Sequence, residues 1–459
     1  MRGIKDRDRW SIYAATVVIT ALAVLAGFAT GYAGTIALVA PLILVLLNLL
    51  LRFPEVFFAL FLNAGIYKAD PRLKILQQFF DLTLLFEILC LVGILSGILH
   101  RKVKILKFPS KMLIPFTTLV GLAVISLVYT ESPDYGTEKL LRFSFITAFS
   151  LFAPWFLFQE WNRIKRFFIA WFALSIAAVF DMFTGGLTPG IIAFRSAFGG
   201  SSGYLGLSTL SAQNVLIVLF AFFLPGRNVL FRVLMGTLGI FSFLGTLFSG
   251  ARTSVLALAF VLVAILSYKI VSLGGRVIKV RQVIWRDISI LAGMIGLVVV
   301  LSAVSILSLK AGYALTLRER WVVALSDFEA TERPQSASSA LQALLAHPFG
   351  LGIGGFLKYY TGANEGRAFA HNIFLEVGSE LGWMGLFAFV LLCYWAGVDG
   401  LRALRKASGS PYFVGVTLLT LFAFMVLYFQ FHGDINDARV LFAWIGSLFA
   451  YHRLVNKRT

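Results

Sequence analysis

Long apolar segments recur along the whole chain, and they constrain its fold more than any other feature. Many of them hold about 18 or more residues with few charges, and a helix of that length crosses the roughly 30 Å hydrocarbon core of a bilayer. Because that core offers no water to backbone groups, a spanning segment must satisfy its hydrogen bonds internally, as a helix does. The apolar residues do not alternate with polar ones as they do in membrane strands. The sequence therefore predicts an all-α, polytopic integral membrane protein.

The composition leaves little room for a separate soluble domain. The chain has 459 residues, of which 59% are hydrophobic and 14% are charged, whereas soluble domains carry roughly 25% charged residues. We therefore predict a single helical membrane domain over residues 1–459.

Fourteen segments qualify as candidate transmembrane helices. The segment 54–67 is short and is interrupted by Asn63 and Gly65, so the prediction is twelve to fourteen helices. The candidate ranges are 11–29, 32–51, 54–67, 79–99, 112–129, 141–158, 166–186, 207–224, 229–249, 253–271, 287–309, 373–398, 411–430 and 437–452.

The distribution of basic residues predicts the orientation of these segments. The net charge is +18, which in a soluble protein would suggest nucleic acid. If the N-terminus is cytoplasmic and the segments alternate, the inner segments hold 26 of the 40 Lys and Arg residues. This asymmetry follows the positive-inside rule. We therefore predict an inner-membrane protein with both termini in the cytoplasm, membrane lipid as a partner and no nucleic acid. One exception is the predicted outer loop 68–76, which carries three basic residues.

One predicted outer (periplasmic) loop, residues 310–372, is unusually long. It contains aromatic and glycine-rich stretches, including the run from His347 to Phe356. Irregular connections longer than about 15 residues are usually functional or disordered. The composition indicates a loop that folds against the outer surface.

A candidate general base lies where this loop enters the next helix. His371 is predicted at that helix start, near arginines, and such surroundings favour a neutral imidazole. A neutral imidazole is the form that a general base requires. A histidine that caps the helix or contacts the membrane interface is the alternative interpretation.

Two arginines on the predicted outer face are candidate anion ligands. Arg252 lies in a tight turn that begins a helix, among Gly, Ser and Thr residues whose N–H and O–H groups suit a phosphate. Snorkelling of Arg252 towards the membrane surface is its alternative role. Arg333 precedes Pro334, which predicts an extended or turn conformation. Arg318 and Arg320 flank Glu319, and anchoring the loop at the membrane interface is their alternative role.

Outer acidic residues are few and have no metal-ligand spacing. We therefore predict a site without metal or other cofactor, in which arginines bind a substrate that carries its own negative charge, such as a lipid-linked phosphate.

Several short motifs resemble the O-antigen ligase and O-antigen polymerase superfamily, over about residues 190–400. The run from His371 to Leu375, followed by Glu380, is similar to the family's hallmark. The run Ser249-Gly250-Ala251-Arg252-Thr253 resembles its Ser-Gly-x-Arg-Thr turn. The motifs that resemble its remaining features are Glu332-Arg333, His347-Pro348 and the glycine-rich run to Phe356, and Arg195 with Gln213-Asn214.

The resemblance implies a metal-independent glycosyltransferase that uses an undecaprenyl-diphosphate-linked glycan at the periplasmic face of the bacterial inner membrane. His371 would be the general base, and Arg252 and Arg333 would hold the diphosphate. Additional substrate-binding residues implied by the resemblance are Arg195, Arg318, Arg320, Asn372 and Glu380. The family usually has a Trp shortly after its loop arginine; here Arg320 precedes Trp321, so Arg320 and Arg318 are alternatives to Arg333.

Three kinds of acceptor are compatible with the resemblance. A polymerase adds to another lipid-linked unit, a ligase adds to lipid A-core, and a protein O-oligosaccharyltransferase adds to a protein. A polymerase is slightly favoured by the number of predicted helices and the long loop. A flippase or exporter of lipid-linked saccharide is the alternative from another class.

Overall fold

The computed structural model describes most of the chain. The described residues are 52–67, 81–185, 203–224, 228–248, 251–273, 332–363 and 368–457. The predicted helices 11–29, 32–51 and 287–309, the loop 68–76 and the first part of the long loop lie outside these ranges.

The described residues form helices and no strands, which confirms the prediction of an all-α membrane protein. Six of these helices are long and apolar enough to cross a membrane. The number twelve to fourteen stays a prediction. The helices are α1 (Pro54–Tyr67), α2 (Leu82–Leu99), α3 (Ser110–Ser126), α4 (Pro133–Leu157), α5 (Trp161–Gly185), α6 (Gly203–Phe222), α7 (Val229–Phe248), α8 (Arg252–Leu273), α9 (Glu332–Ala346), α10 (Phe356–Thr361), α11 (Ile373–Lys406), α12 (Ser410–Tyr428) and α13 (Arg439–Asn456).

The last helix, α13, lies at the centre of the described bundle. It packs against α4, α11 and α12, and every residue from Leu441 to Tyr451 is buried. A helix that is apolar on all sides is typical of a protein core or of a membrane span. Gly446 lets α13 approach α4 closely, since a Cβ atom there would lie 2.0 Å from the Leu151 carbonyl oxygen.

The start of α4 corrects the predicted boundary of one helix. The candidate helices 112–129 and 141–158 left a short loop between them, but α4 begins at Pro133 and continues through a π-helical turn at Phe143–Thr147. Proline is well suited to the first helical position because it has no N–H to leave unsatisfied. The first turns of α4 are polar, so hydropathy alone did not reveal them. As a result Lys139 lies inside a helix and is fully buried.

The described part of the long loop is folded rather than irregular. It forms α9 and α10, and α9 packs along α11. Tyr129 and Thr130, which follow α3, donate hydrogen bonds to the carbonyls of Phe349 and Ile353, both at 3.0 Å. These contacts place the loop over the end of the bundle where α11 begins.

Candidate functional site

Helix α11 is broken at Gly382, and the glycine-rich segment fills the break. Gly382 has φ +69° and ψ −169°, which interrupts the helical hydrogen bonds. The Ser379 carbonyl instead accepts from Leu351 N–H at 2.8 Å, and Trp383 N–H donates to the Pro348 carbonyl at 3.1 Å. The loop thus satisfies the backbone groups that the kink leaves unpaired.

This close approach requires glycine at particular positions. Gly350 has φ +84°, and a Cβ atom there would lie 2.3 Å from the Glu380 carbonyl oxygen. A Cβ atom on Gly382 would lie 2.3 Å from the Pro348 carbonyl oxygen. Both the positive φ and the short distance exclude larger residues.

A buried charge cluster involves the part of α11 just before the break. Lys139 of α4 forms ion pairs with Glu376 and Glu380 of α11, and its Nζ lies 2.8 Å from Glu380 Oε1. All three side chains are at most 3% exposed. The Gly354 backbone N–H also hydrogen-bonds to the Glu380 carboxylate. Because buried charges are costly unless they are paired, this cluster fixes α4, α11 and the loop relative to one another.

The backbone around His371 is tightly held. His371 has φ +55°, a left-handed conformation that is unfavourable for a residue with a Cβ atom. The next residue, Asn372, caps α11 by accepting from the N–H groups of Phe374 and Leu375. Its side-chain amide donates to the carbonyl and to Oε1 of Gln430, at 3.2 and 3.1 Å. Strained conformations persist only where surrounding contacts hold them, and they concentrate at functional sites.

The imidazole of His371 is kept in its neutral form. Burial, followed by the positive charge of Arg333, lowers the pKa of His371 from 6.5 to about 4. Among the described residues, no group hydrogen-bonds to its buried Nδ1 atom. The ring lies against Phe369, with ring centroids 4.5 Å apart. A neutral, half-buried imidazole with a free ring nitrogen is chemically able to accept a proton.

Arg333 and Arg252 both lie in the first turn of a helix. Arg333 is the second residue of α9, which corrects the extended or turn conformation expected before Pro334. Proline is tolerated there because the first-turn N–H groups have no intrahelical partner. Arg252 is the first residue of α8. The positive end of a helix dipole disfavours a cation, so a bound anion would relieve both positions.

The structure brings some of the predicted residues together. His371 and Arg333 interact electrostatically, and Asn372 adjoins His371. Glu380 pairs with Lys139 in the buried cluster, which indicates a structural role for this glutamate. Arg195, Arg318 and Arg320 lie outside the described residues, so the choice of loop arginine stays a prediction.

Residues 429–438, between α12 and α13, add groups that the predicted site did not include. His432 interacts electrostatically with both Arg333 and His371. Asp434 is buried and interacts with Lys139 and Glu376. The only sequence signal was the polarity of the run Phe-His-Gly-Asp-Ile-Asn-Asp between two apolar helices. Nothing in the sequence around Lys139 predicted that this lysine is buried in an ion-pair cluster.

The fold and the site define a polytopic helical membrane protein with histidines and arginine gathered at one end of its bundle. Residues 237–390, about a third of the chain, match the model of a family described as O-antigen ligase. The match contains Arg252, Arg333 and His371. It confirms the resemblance to the O-antigen ligase and polymerase superfamily and supports a membrane enzyme of that type. No curated protein matches the chain.

Proposed function

We propose that the protein is a glycosyltransferase that moves a saccharide from undecaprenyl diphosphate to an acceptor hydroxyl at the periplasmic face of the bacterial inner membrane. The observation that carries the proposal is the proximity of Arg333 to the neutral imidazole of His371. Arginine suits a diphosphate because its planar guanidinium pairs with phosphate oxygens. The family match supports the same class of reaction.

In this reaction the acceptor oxygen attacks the anomeric carbon of the donor saccharide. The bond between that carbon and the diphosphate oxygen breaks, and the diphosphate keeps the electron pair. The hydroxyl proton passes to His371, which acts as general base. Arg252 and Arg333 stabilise the charge that develops on the diphosphate as it leaves. A diphosphate is a good leaving group, so the arginines take the place of a metal ion.

The other predicted residues have supporting roles in this proposal. Asn372 holds the backbone of His371, and Glu380 holds α11 against α4 through Lys139. Arg195, Arg318 and Arg320 are proposed as further contacts of the donor. Membrane lipid surrounds the bundle.

The test uses purified protein in liposomes with an undecaprenyl-diphosphate-linked glycan. Lipid-linked glycan, lipid A-core and an acceptor protein are supplied in turn, because they distinguish a polymerase, a ligase and a protein O-oligosaccharyltransferase. We expect release of undecaprenyl diphosphate together with transfer of the glycan. Movement of intact donor across the bilayer, without bond cleavage, would instead support a flippase.

The matched variants are His371→Ala and His100→Ala. His100 is an exposed histidine that follows α2 and contacts Ser96. We expect His371→Ala to lose transfer by about 100-fold or more, as is typical when a general base is removed, and His100→Ala to keep it. Full transfer activity in His371→Ala would refute the assignment of the base.

A further inference from the structure

The segment 429–438 brings a second imidazole beside His371. Asn372 donates two hydrogen bonds to Gln430, and Ile373 N–H donates to the Phe429 carbonyl at 2.9 Å. His371 is the residue before Asn372, and His432 is two residues after Gln430. These bonds therefore fix the segment that carries His432 against the start of α11.

The His432 ring packs against an aromatic side chain, and one of its ring nitrogens lacks a hydrogen-bond partner among the described residues. It lies against Tyr428, with ring centroids 5.2 Å apart. Its Nδ1 atom is buried, and no described residue hydrogen-bonds to it. Gly433, with φ +83°, allows the sharp turn that follows. A buried polar atom without a partner needs an explanation, and a bound ligand provides one.

The charge state of His432 indicates which chemical group it would bind. Burial, followed by Arg333 and His371, lowers the pKa of His432 from 6.5 to about 3. The ring is therefore neutral near pH 7, with one nitrogen that donates and one that accepts a hydrogen bond. It adds no charge for binding the diphosphate, which suits Arg333 better. A neutral imidazole does match the hydroxyl groups of a saccharide.

We propose that His432 binds a hydroxyl of a saccharide acceptor beside His371. This inference rests on the proposed transferase function and adds a residue that selects the acceptor. In this arrangement Arg333 and Arg252 hold the donor diphosphate, and the segment 429–438 forms the acceptor side of the site.

The test is steady-state kinetics of His432→Phe and His432→Gln in liposomes, with donor and acceptor varied separately. For His432→Phe we expect the KM for acceptor to rise about tenfold, the effect of one lost hydrogen bond to a ligand. We expect the KM for donor and kcat to change less than about threefold. His432→Gln, whose amide both donates and accepts, should recover part of the affinity. His100→Phe is the control and should match the unmodified protein.

Two kinetic outcomes would overturn the inference. One is a rise in the KM for donor with the KM for acceptor unchanged, which would place His432 on the donor side. The other is a fall in kcat as large as that of His371→Ala with the acceptor KM unchanged. If His432→Phe does not fold, His432→Gln alone decides, and an unchanged KM for acceptor then contradicts the inference.

A binding measurement separates this inference from the proposed function. The probe is the free oligosaccharide of the acceptor, and its Kd is measured by calorimetry without donor. We expect a Kd about tenfold higher for His432→Phe than for His100→Phe. If the unmodified protein transfers glycan but both variants bind the oligosaccharide equally, only the present inference fails. If no transfer occurs, the proposed function fails, and the Kd values still decide whether His432 binds saccharide.

Discussion

Lys139 Nζ donates to Glu380 Oε1 at 2.8 Å, although the two residues are 241 positions apart in the chain. Lys139 also pairs with Glu376, one turn earlier in α11. The cluster lies between the kink at Gly382 and the helix start that carries His371. It therefore connects the fold of the bundle to the geometry of the site.

Replacing Lys139 with Met should destabilise the protein strongly. The change leaves Glu376 and Glu380 buried without a cation, and breaking a buried ion pair costs about 3–5 kcal/mol. Thermal unfolding in detergent can be followed with a thiol-reactive dye, because Cys90 and Cys393 are free and buried. We expect the dye to react at a much lower temperature in Lys139→Met.

The matched control for this change is Lys358→Met. Lys358 pairs with Glu131 at 3.4 Å, but both side chains are well exposed, and exposed pairs contribute about 0–1 kcal/mol. Restoring charge balance with Glu376→Gln and Glu380→Gln in the Lys139→Met background should recover part of the loss. Equal melting temperatures for Lys139→Met and Lys358→Met would contradict the role of the cluster.

Replacing Gly350 with Ala should separate the glycine-rich segment from α11. The new Cβ atom meets the Glu380 carbonyl oxygen at 2.3 Å, and the positive φ adds strain. We expect a loss of about 2–5 kcal/mol and of transfer activity. Gly121→Ala is the control, since it lies within α3 with open space around it and should be neutral or slightly stabilising. Unchanged melting of Gly350→Ala would show that the segment is not packed as described.

Substitutions of Asn372 should affect both the stability of the protein and its transfer activity. Asn372→Ala removes the helix cap, worth about 1 kcal/mol, and the bonds to Gln430. Asn372→Asp keeps the capping oxygen but loses the amide donor. We expect both variants to lose transfer activity, because His371 is the adjacent residue and a displacement of about 1 Å can cost 100-fold. Both variants lose the bonds to Gln430, and Asn372→Ala loses the cap as well, so their unfolding and activity are compared. Full activity in both would contradict a positioning role.

The pH dependence of transfer should report the low pKa of His371. Since a base must be unprotonated, kcat/KM should fall as the pH drops through about 4 rather than through 6.5. Arg333→Gln removes one of the two causes of this shift, so its residual activity should fall at a higher pH. The increase should be partial, because burial is the larger cause.

The control for this profile is Lys358→Gln, which removes an exposed cation from the same loop. Its acidic limb should coincide with that of the unmodified protein. Tryptophan fluorescence at each pH checks that the variants stay folded. A limb near pH 6.5 in the unmodified protein would show that His371 is not buried beside Arg333 as the structure has it.

Local patterns in the sequence predicted much of the fold. Apolar length predicted helices such as α6, α7 and α12 with ends within a few residues, because the bilayer sets how long a spanning helix must be. The boundary of α4 was wrong because its first turns are polar. The positions of Arg252 and His371 at helix starts were also predicted, since the breaks in apolar sequence lie beside them.

The sequence by itself thus determined a helical membrane protein with a candidate base and arginines at the ends of particular helices. Only the tertiary structure decided which partners those residues meet. The pairing of Lys139 with Glu380 and the position of His432 beside His371 depend on contacts between distant segments, and no helical period or hydropathy pattern encodes such contacts. Burial then lowered the pKa of both histidines, and burial is a property of the packed bundle rather than of any single helix.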